Sequence, residues 1–205
     1  MKILLLYIPR AGSTSILRYF KSVKPNYNII NQPWSELIVE LTKSNMINYK
    51  DLIKYENIFV KSDIGSFNKE NIDLECVKSD FDKIIILDRK DKEKQIESLI
   101  YAKHNNSFLE SNKYWFDDDY KYTIEEDEKR SAQNGIQELK NQIPTLTKLL
   151  NAKFYYYEDL FFGDFSDILN YLEIDYNEEY FNLYLDKKNK YRLGDTIPKE
   201  NKSLI

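Results

Sequence analysis

Ile3-Leu4-Leu5-Leu6-Tyr7-Ile8-Pro9-Arg10-Ala11-Gly12-Ser13-Thr14-Ser15 carries the first strong structural signal in the chain. Its first six residues are an unbroken apolar run, the pattern of a strand buried on both faces of a parallel sheet. Pro9 and Arg10 end the run sharply. It is far short of the ~20 residues that span a bilayer. It also lacks the basic leading region and small-residue cleavage site of a signal peptide. Beyond the loop, Ile16, Leu17, Tyr19, Phe20 and Val23 recur at helical spacing, and Pro25 closes that helix. Strand, glycine-containing loop, helix is the unit from which α/β proteins build phosphate sites.

The same signatures recur downstream. Strands are expected over residues 57–62, around Ile58-Phe59-Val60, over the uniformly apolar 84–87, and over 153–157. Helices are expected over residues 34–41, from a cap at Asp91 to about Lys103, and from about Ile124 to Asn151, with a further one after Asp164. Pro144 is expected to kink or split the third of these. Strands alternating with helices predict an α/β fold with three layers, α/β/α, around a central parallel sheet. A chain of 205 residues suits one domain, residues 1–205. Two stretches stand apart. Residues 105–123, with Tyr114-Trp115-Phe116 and Asp117-Asp118-Asp119, read as a solvated loop or a substrate-facing insertion. Residues 186–205 read as a flexible tail or a loop that orders on a ligand.

Composition narrows the function. An apolar fraction of 42% supports a real core. The 30 basic and 34 acidic residues give a net charge of -4, which is no nucleic-acid footprint; any anion site must be local. Cys76 is the only cysteine and His104 the only histidine, so no intrachain disulfide is possible and no metal site is expected. No segment has the length and apolarity of a membrane span. A cytoplasmic, soluble protein is the expectation, and the oligomeric state is open.

The loop at residues 9–15 is the candidate anion site. A helix N-terminus offers unpaired N–H groups and the positive end of the macrodipole. Gly12 lets the backbone approach an anion, Ser13, Thr14 and Ser15 add hydroxyls, and Arg10 adds a forked, permanent charge. The Gly-Lys-Ser/Thr of the ordinary nucleotide-binding P-loop is absent, which disfavours ATP or GTP hydrolysis.

Pro9-Arg10-x-Gly12-Ser13-Thr14 resembles the 5′-phosphosulfate loop of sulfotransferases that use 3′-phosphoadenosine 5′-phosphosulfate (PAPS). Arg89 after the third expected strand and Ser98 on the next helix, nine residues on, are similar to the family's 3′-phosphate motif. The R-x-D-x-x-x-Q-x-x-S-L pattern is closest to the trehalose-sulfotransferase-like branch. Tyr156-Tyr157-Glu158-Asp159-Leu160 resembles the family's Tyr-Glu-Asp-Leu segment, whose Tyr lies near the adenine. The three motifs keep the family's order across residues 9–160.

The resemblance implies a P-loop-like sulfotransferase fold and an enzyme that moves a sulfuryl group from PAPS to a hydroxyl, on a carbohydrate or other small-molecule or glycan acceptor. The product would be 3′-phosphoadenosine 5′-phosphate, and no metal is implied. Arg10, Gly12, Ser13, Thr14 and Ser15 would cradle the phosphosulfate, Arg89 and Ser98 the 3′-phosphate, and Tyr157 would lie on or near the adenine. Arg10 would also stabilise charge on the bridging oxygen as the S–O bond breaks. Arg192, in Lys190-Tyr191-Arg192-Leu193-Gly194-Asp195, is similar to the family's basic loop over the 3′-phosphate; a solvated tail is the other reading.

The base that accepts the hydroxyl proton is less legible. Lys61-Ser62-Asp63 puts Asp63 where many relatives carry His. In Asn31-Gln32-Pro33-Trp34-Ser35-Glu36, Gln32 stands where other branches carry Glu, and Glu36 is the nearest carboxylate. Glu36 ranks slightly ahead of Asp63. Two alternatives stand beside the transferase: a P-loop-type small-molecule or nucleoside kinase, and a non-catalytic nucleotide-binding protein on a degenerate sulfotransferase scaffold.

Overall fold

The computed structural model describes residues 1–35, 47–104 and 124–184. Glu36, Arg192, most of the helix expected over 34–41, the stretch 105–123 and the segment 186–205 lie outside the described residues.

Five strands, all parallel, form one sheet: β1 (Lys2–Tyr7), β2 (Asn28–Asn31), β3 (Ile58–Asp63), β4 (Lys83–Asp88) and β5 (Lys153–Tyr156), in the spatial order β2-β3-β1-β4-β5. β1 is central, with Leu4 opposite Val60 of β3 and Ile84 of β4. The three apolar runs read from sequence are therefore the three middle strands, buried on both faces.

Alternation along β1 divides the core in two. Ile3, Leu5 and Tyr7 pack with Ile16, Leu17 and Phe20 of α1 (Ser13–Val23), and with residues of α7 (Tyr157–Phe162) and α8 (Ser166–Leu172). Leu4, Leu6 and Ile8 pack on the other face with Ile96 and Ile100 of α5 (Lys92–His104), and with Ile136, Ile143 and Leu146 of α6 (Glu126–Leu150). Helices thus cover both faces. α2 (Tyr49–Leu52), α3 (Ile64–Lys69), α4 (Leu74–Asp80) and α9 (Glu178–Tyr184) complete the described helices.

Three details differ from the sequence reading. β2 has only Ile29 and Ile30 between asparagines and lies at the sheet edge, where an apolar run is not needed. The last strand stops at Tyr156, and Tyr157 opens α7. α6 runs unsplit through Pro144 as one element of 25 residues, held by its apolar stripe on the sheet. Asp91 caps α5 as expected, accepting from the Lys94 N–H at 3.0 Å. Among the described residues no helix is long and apolar enough to cross a membrane.

Candidate functional site

Parallel strands deliver all their C-terminal ends to one edge of the sheet. The helix after β1 packs on one face and the helix after β4 on the other, so a crevice opens between those two strand ends, the usual ligand position in open α/β sheets. The Pro9–Gly12 loop meets Arg89 and α5 at this edge of the sheet.

Two side chains of α5 grip the loop. Gln95, fully buried, donates from Nε2 to the Pro9 carbonyl at 3.0 Å and to Asp88 Oδ1 at 3.4 Å. One turn further on, Ser98 Oγ accepts from Arg10 Nε at 2.9 Å. These bonds hold Arg10 in the left-handed region at φ 69. For a residue with a side chain that conformation costs about 1–3 kcal/mol and persists where the surroundings impose it. Gly12 is left-handed too, at φ 78, and occupies the N-cap of α1 with no side-chain cap over the first N–H groups. Ser13 is buried, and Thr14 and Ser15 are half-buried on the first turn.

Gly12 rests on an aromatic ring. A Cβ at Gly12 would stand 2.4 Å from Tyr157 Cδ2, a contact no side chain tolerates. Tyr157 is 6% exposed, tilted against Phe161, and carries the Arg89 guanidinium 5.3 Å from its ring centre. Arg89, Tyr157 and Gly12 therefore form a continuous stack that bridges the crevice. Arg89 Nε lies 3.6 Å from Glu158 Oε1, within ion-pair range but beyond a hydrogen bond, and is buried with no hydrogen-bond partner. Glu158 spends its hydrogen bonds on the backbone, accepting from Lys90 N at 2.8 Å and Asp91 N at 3.2 Å.

Two residues without a role in the sequence reading join the site. Lys61, 3% exposed on β3, donates from Nζ to Thr14 Oγ1 at 2.8 Å and sits 5.2 Å from the centre of the Tyr7 ring. Lys140, on α6, forms a 3.0 Å ion pair with Asp88 and donates to the Arg89 carbonyl at 2.8 Å. The signal for Lys61 was present: a lysine directly after the apolar run Ile58-Phe59-Val60 in a strand needs a polar target. Lys140 gave none, because its partner lies 52 residues away on another element.

Burial pushes the Arg10 guanidinium down to about 10, Tyr7 acts against that shift, and the nearby Arg89 charge adds to it. Arg10 remains cationic near neutrality. An anion between Arg10 and Arg89 would relieve their repulsion, so the arrangement suits a ligand with dense negative charge. Among the described residues no group of three or more His, Cys, Asp or Glu side chains could hold a metal ion.

Of the two candidate bases only Asp63 is described. It stands at the end of β3, opposite Tyr7, half-buried, and its Oδ1 accepts from Ser66 N at 2.8 Å as the N-cap of α3. Gln32, where a glutamate was sought, is left-handed at φ 51 and donates from its side chain to the Tyr7 hydroxyl. Its backbone N–H bonds the Lys61 carbonyl at 2.6 Å.

Neither a family model nor a curated protein sequence matches this chain.

Proposed function

We propose that the chain is a sulfotransferase that takes a sulfuryl group from PAPS to a hydroxyl of a carbohydrate or other small acceptor. The observation that carries this reading is the convergence of three distant segments. Arg10 of the first loop bonds Ser98 of α5, and Arg89 stacks on Tyr157, which in turn supports Gly12. One crevice thus offers two cationic poles, suited to a donor with a phosphosulfate at one end and a 3′-phosphate at the other. The strand order and the placement of the loop after the central strand support the P-loop-like form of the fold.

In this reading the N–H groups of α1 and the hydroxyls of Ser13, Thr14 and Ser15 hold the phosphosulfate. Arg10 and Lys61 face the bridging oxygen, where charge grows as the S–O bond breaks. The sulfuryl group passes in line to the acceptor oxygen, whose proton goes to a carboxylate, Asp63 or Glu36. Tyr157 acts beneath the nucleotide: its buried ring positions Gly12 and Arg89.

One observation favours a second reading, a nucleotide-binding scaffold without turnover. Gln32 fills the position of an acidic residue, and Asp63 is already engaged as a helix cap.

Thermal-shift titration tests the donor. 3′-Phosphoadenosine 5′-phosphate should stabilise the protein and ATP with magnesium should not. Arg89→Ala should weaken the 3′-phosphorylated nucleotide by about 1.5–3 kcal/mol, the scale of a hydrogen bond to a charged group. Stabilisation by ATP with magnesium alone would favour a kinase. Transfer of labelled sulfate to a hydroxyl panel then separates enzyme from scaffold: tight nucleotide binding with no transfer supports the scaffold.

A further inference from the structure

A second concave surface lies on the other face of the sheet from Gly12. β4, β5 and α6 bound a cavity of about 660 Å³, within the ~300–1,000 Å³ of small-ligand sites. Arg89, Lys90, Lys92, Lys140 and Lys148 line it; Lys140 pairs with Asp88 at 3.0 Å, Lys90 with Asp159 and Arg89 with Glu158 at 3.6 Å, and Lys92 and Lys148 stand outside these pairs. Lys92 and Lys148, both exposed, are the two lining cations left to meet an anion.

The wall is built for more than charge. Ile143, Phe154 and Tyr156 supply an apolar floor, with the Phe154 and Tyr156 rings edge to face at 4.7 Å. Thr147 also lines the cavity, and its hydroxyl is buried without a hydrogen-bond partner. Pro144, also in the wall, has no N–H to give the Lys140 carbonyl, leaving an acceptor beside the cations.

We propose that this cavity binds a small ring compound carrying a phosphate or sulfate monoester. Lys92 and Lys148 take the ester, and the Phe154–Tyr156 floor takes the ring. The cavity shares Asp88, Arg89, Lys90 and Lys140 with the site described above, and the proposal does not depend on the sulfotransferase reading.

The test is NMR titration of the full chain with adenosine 5′-monophosphate, glucose 6-phosphate, 4-nitrophenyl sulfate and inorganic phosphate. These arms separate nucleoside, sugar and aryl sources. At least one ring ester should bind about tenfold more tightly than inorganic phosphate, because only it reaches the apolar floor. Its shifts should centre on Thr147 and Phe154. Lys92→Ala/Lys148→Ala, at two exposed positions, should weaken it about fivefold or more. Thr14→Ala should leave it unchanged. Ring esters no better than phosphate, an unaffected lysine double variant, or shifts centred on Gly12 and lost with Thr14→Ala would each overturn the proposal.

Discussion

Arg10 and Ser98 lie 88 residues apart in the chain and meet through one 2.9 Å hydrogen bond, Arg10 Nε donating to Ser98 Oγ. The bond ties a loop in a disfavoured backbone conformation to a helix rooted on the opposite face of the sheet. Removing the hydroxyl with Ser98→Ala should lower stability by about 0.5–1.5 kcal/mol. It should also loosen Arg10 and weaken anions at the loop. Urea denaturation and a sulfate titration read the two effects, and Ser98→Thr should restore much of both. A Ser98→Ala protein with an unchanged denaturation midpoint would show that the bond is incidental.

Gly12 should tolerate no side chain. Gly12→Ala meets two separate obstacles, the left-handed φ of 78 and the Tyr157 ring 2.4 Å from the new Cβ. Positive φ costs an L-residue about 1–2 kcal/mol, before any clash. The variant should therefore unfold at clearly lower denaturant. Adding Tyr157→Leu should recover the steric part and leave the backbone part. If the double variant is no more stable than Gly12→Ala, the ring is not the obstacle.

How much of this was readable beforehand follows from the range of each interaction. The middle strands were plain because residues buried on both faces must be apolar, and Ile3–Ile8 and Ile84–Leu87 have no other use. The loop at Pro9–Gly12 was plain because local chemistry makes a helix N-terminus attractive to anions. β2 was missed because an edge strand of four residues with two isoleucines carries no distinctive pattern. Gln95 lies in the Arg89–Ser98 pattern read from sequence, yet its grip on the Pro9 carbonyl depends on how α5 docks. Tyr157, expected on or near the adenine, opens α7, and the strand-to-helix break at Tyr156 sets its ring beneath Gly12. Local chemistry was legible, and the pairing of distant side chains was set by packing.

The Lys140–Asp88 pair should be essential as a pair and dispensable as chemistry. Their side chains are 9% and 5% exposed. Lys140→Met leaves a buried carboxylate with Gln95 as its remaining side-chain partner among the described residues, and breaking such pairs costs about 3–5 kcal/mol. Replacing both, Lys140→Met with Asp88→Leu, removes the stranded charge and should recover most of the loss. A double-mutant cycle by chemical denaturation measures the coupling. Additive losses would mean the two charges act independently.

Asp63 has a structural duty that must be separated from any catalytic one. Its Oδ1 accepts from Ser66 N at 2.8 Å and caps α3. Asp63→Ala should therefore cost about 0.5–2 kcal/mol of stability even in a protein with no activity. Asp63→Asn keeps a carbonyl oxygen for the cap and removes only the basic carboxylate. If Asp63 accepts the hydroxyl proton, Asp63→Asn should fold like the parent, bind the nucleotide equally well, and lose about 100-fold or more in turnover. Equal turnover in Asp63→Asn and the parent would confine Asp63 to the cap and pass the role to Glu36, where Glu36→Gln makes the parallel measurement.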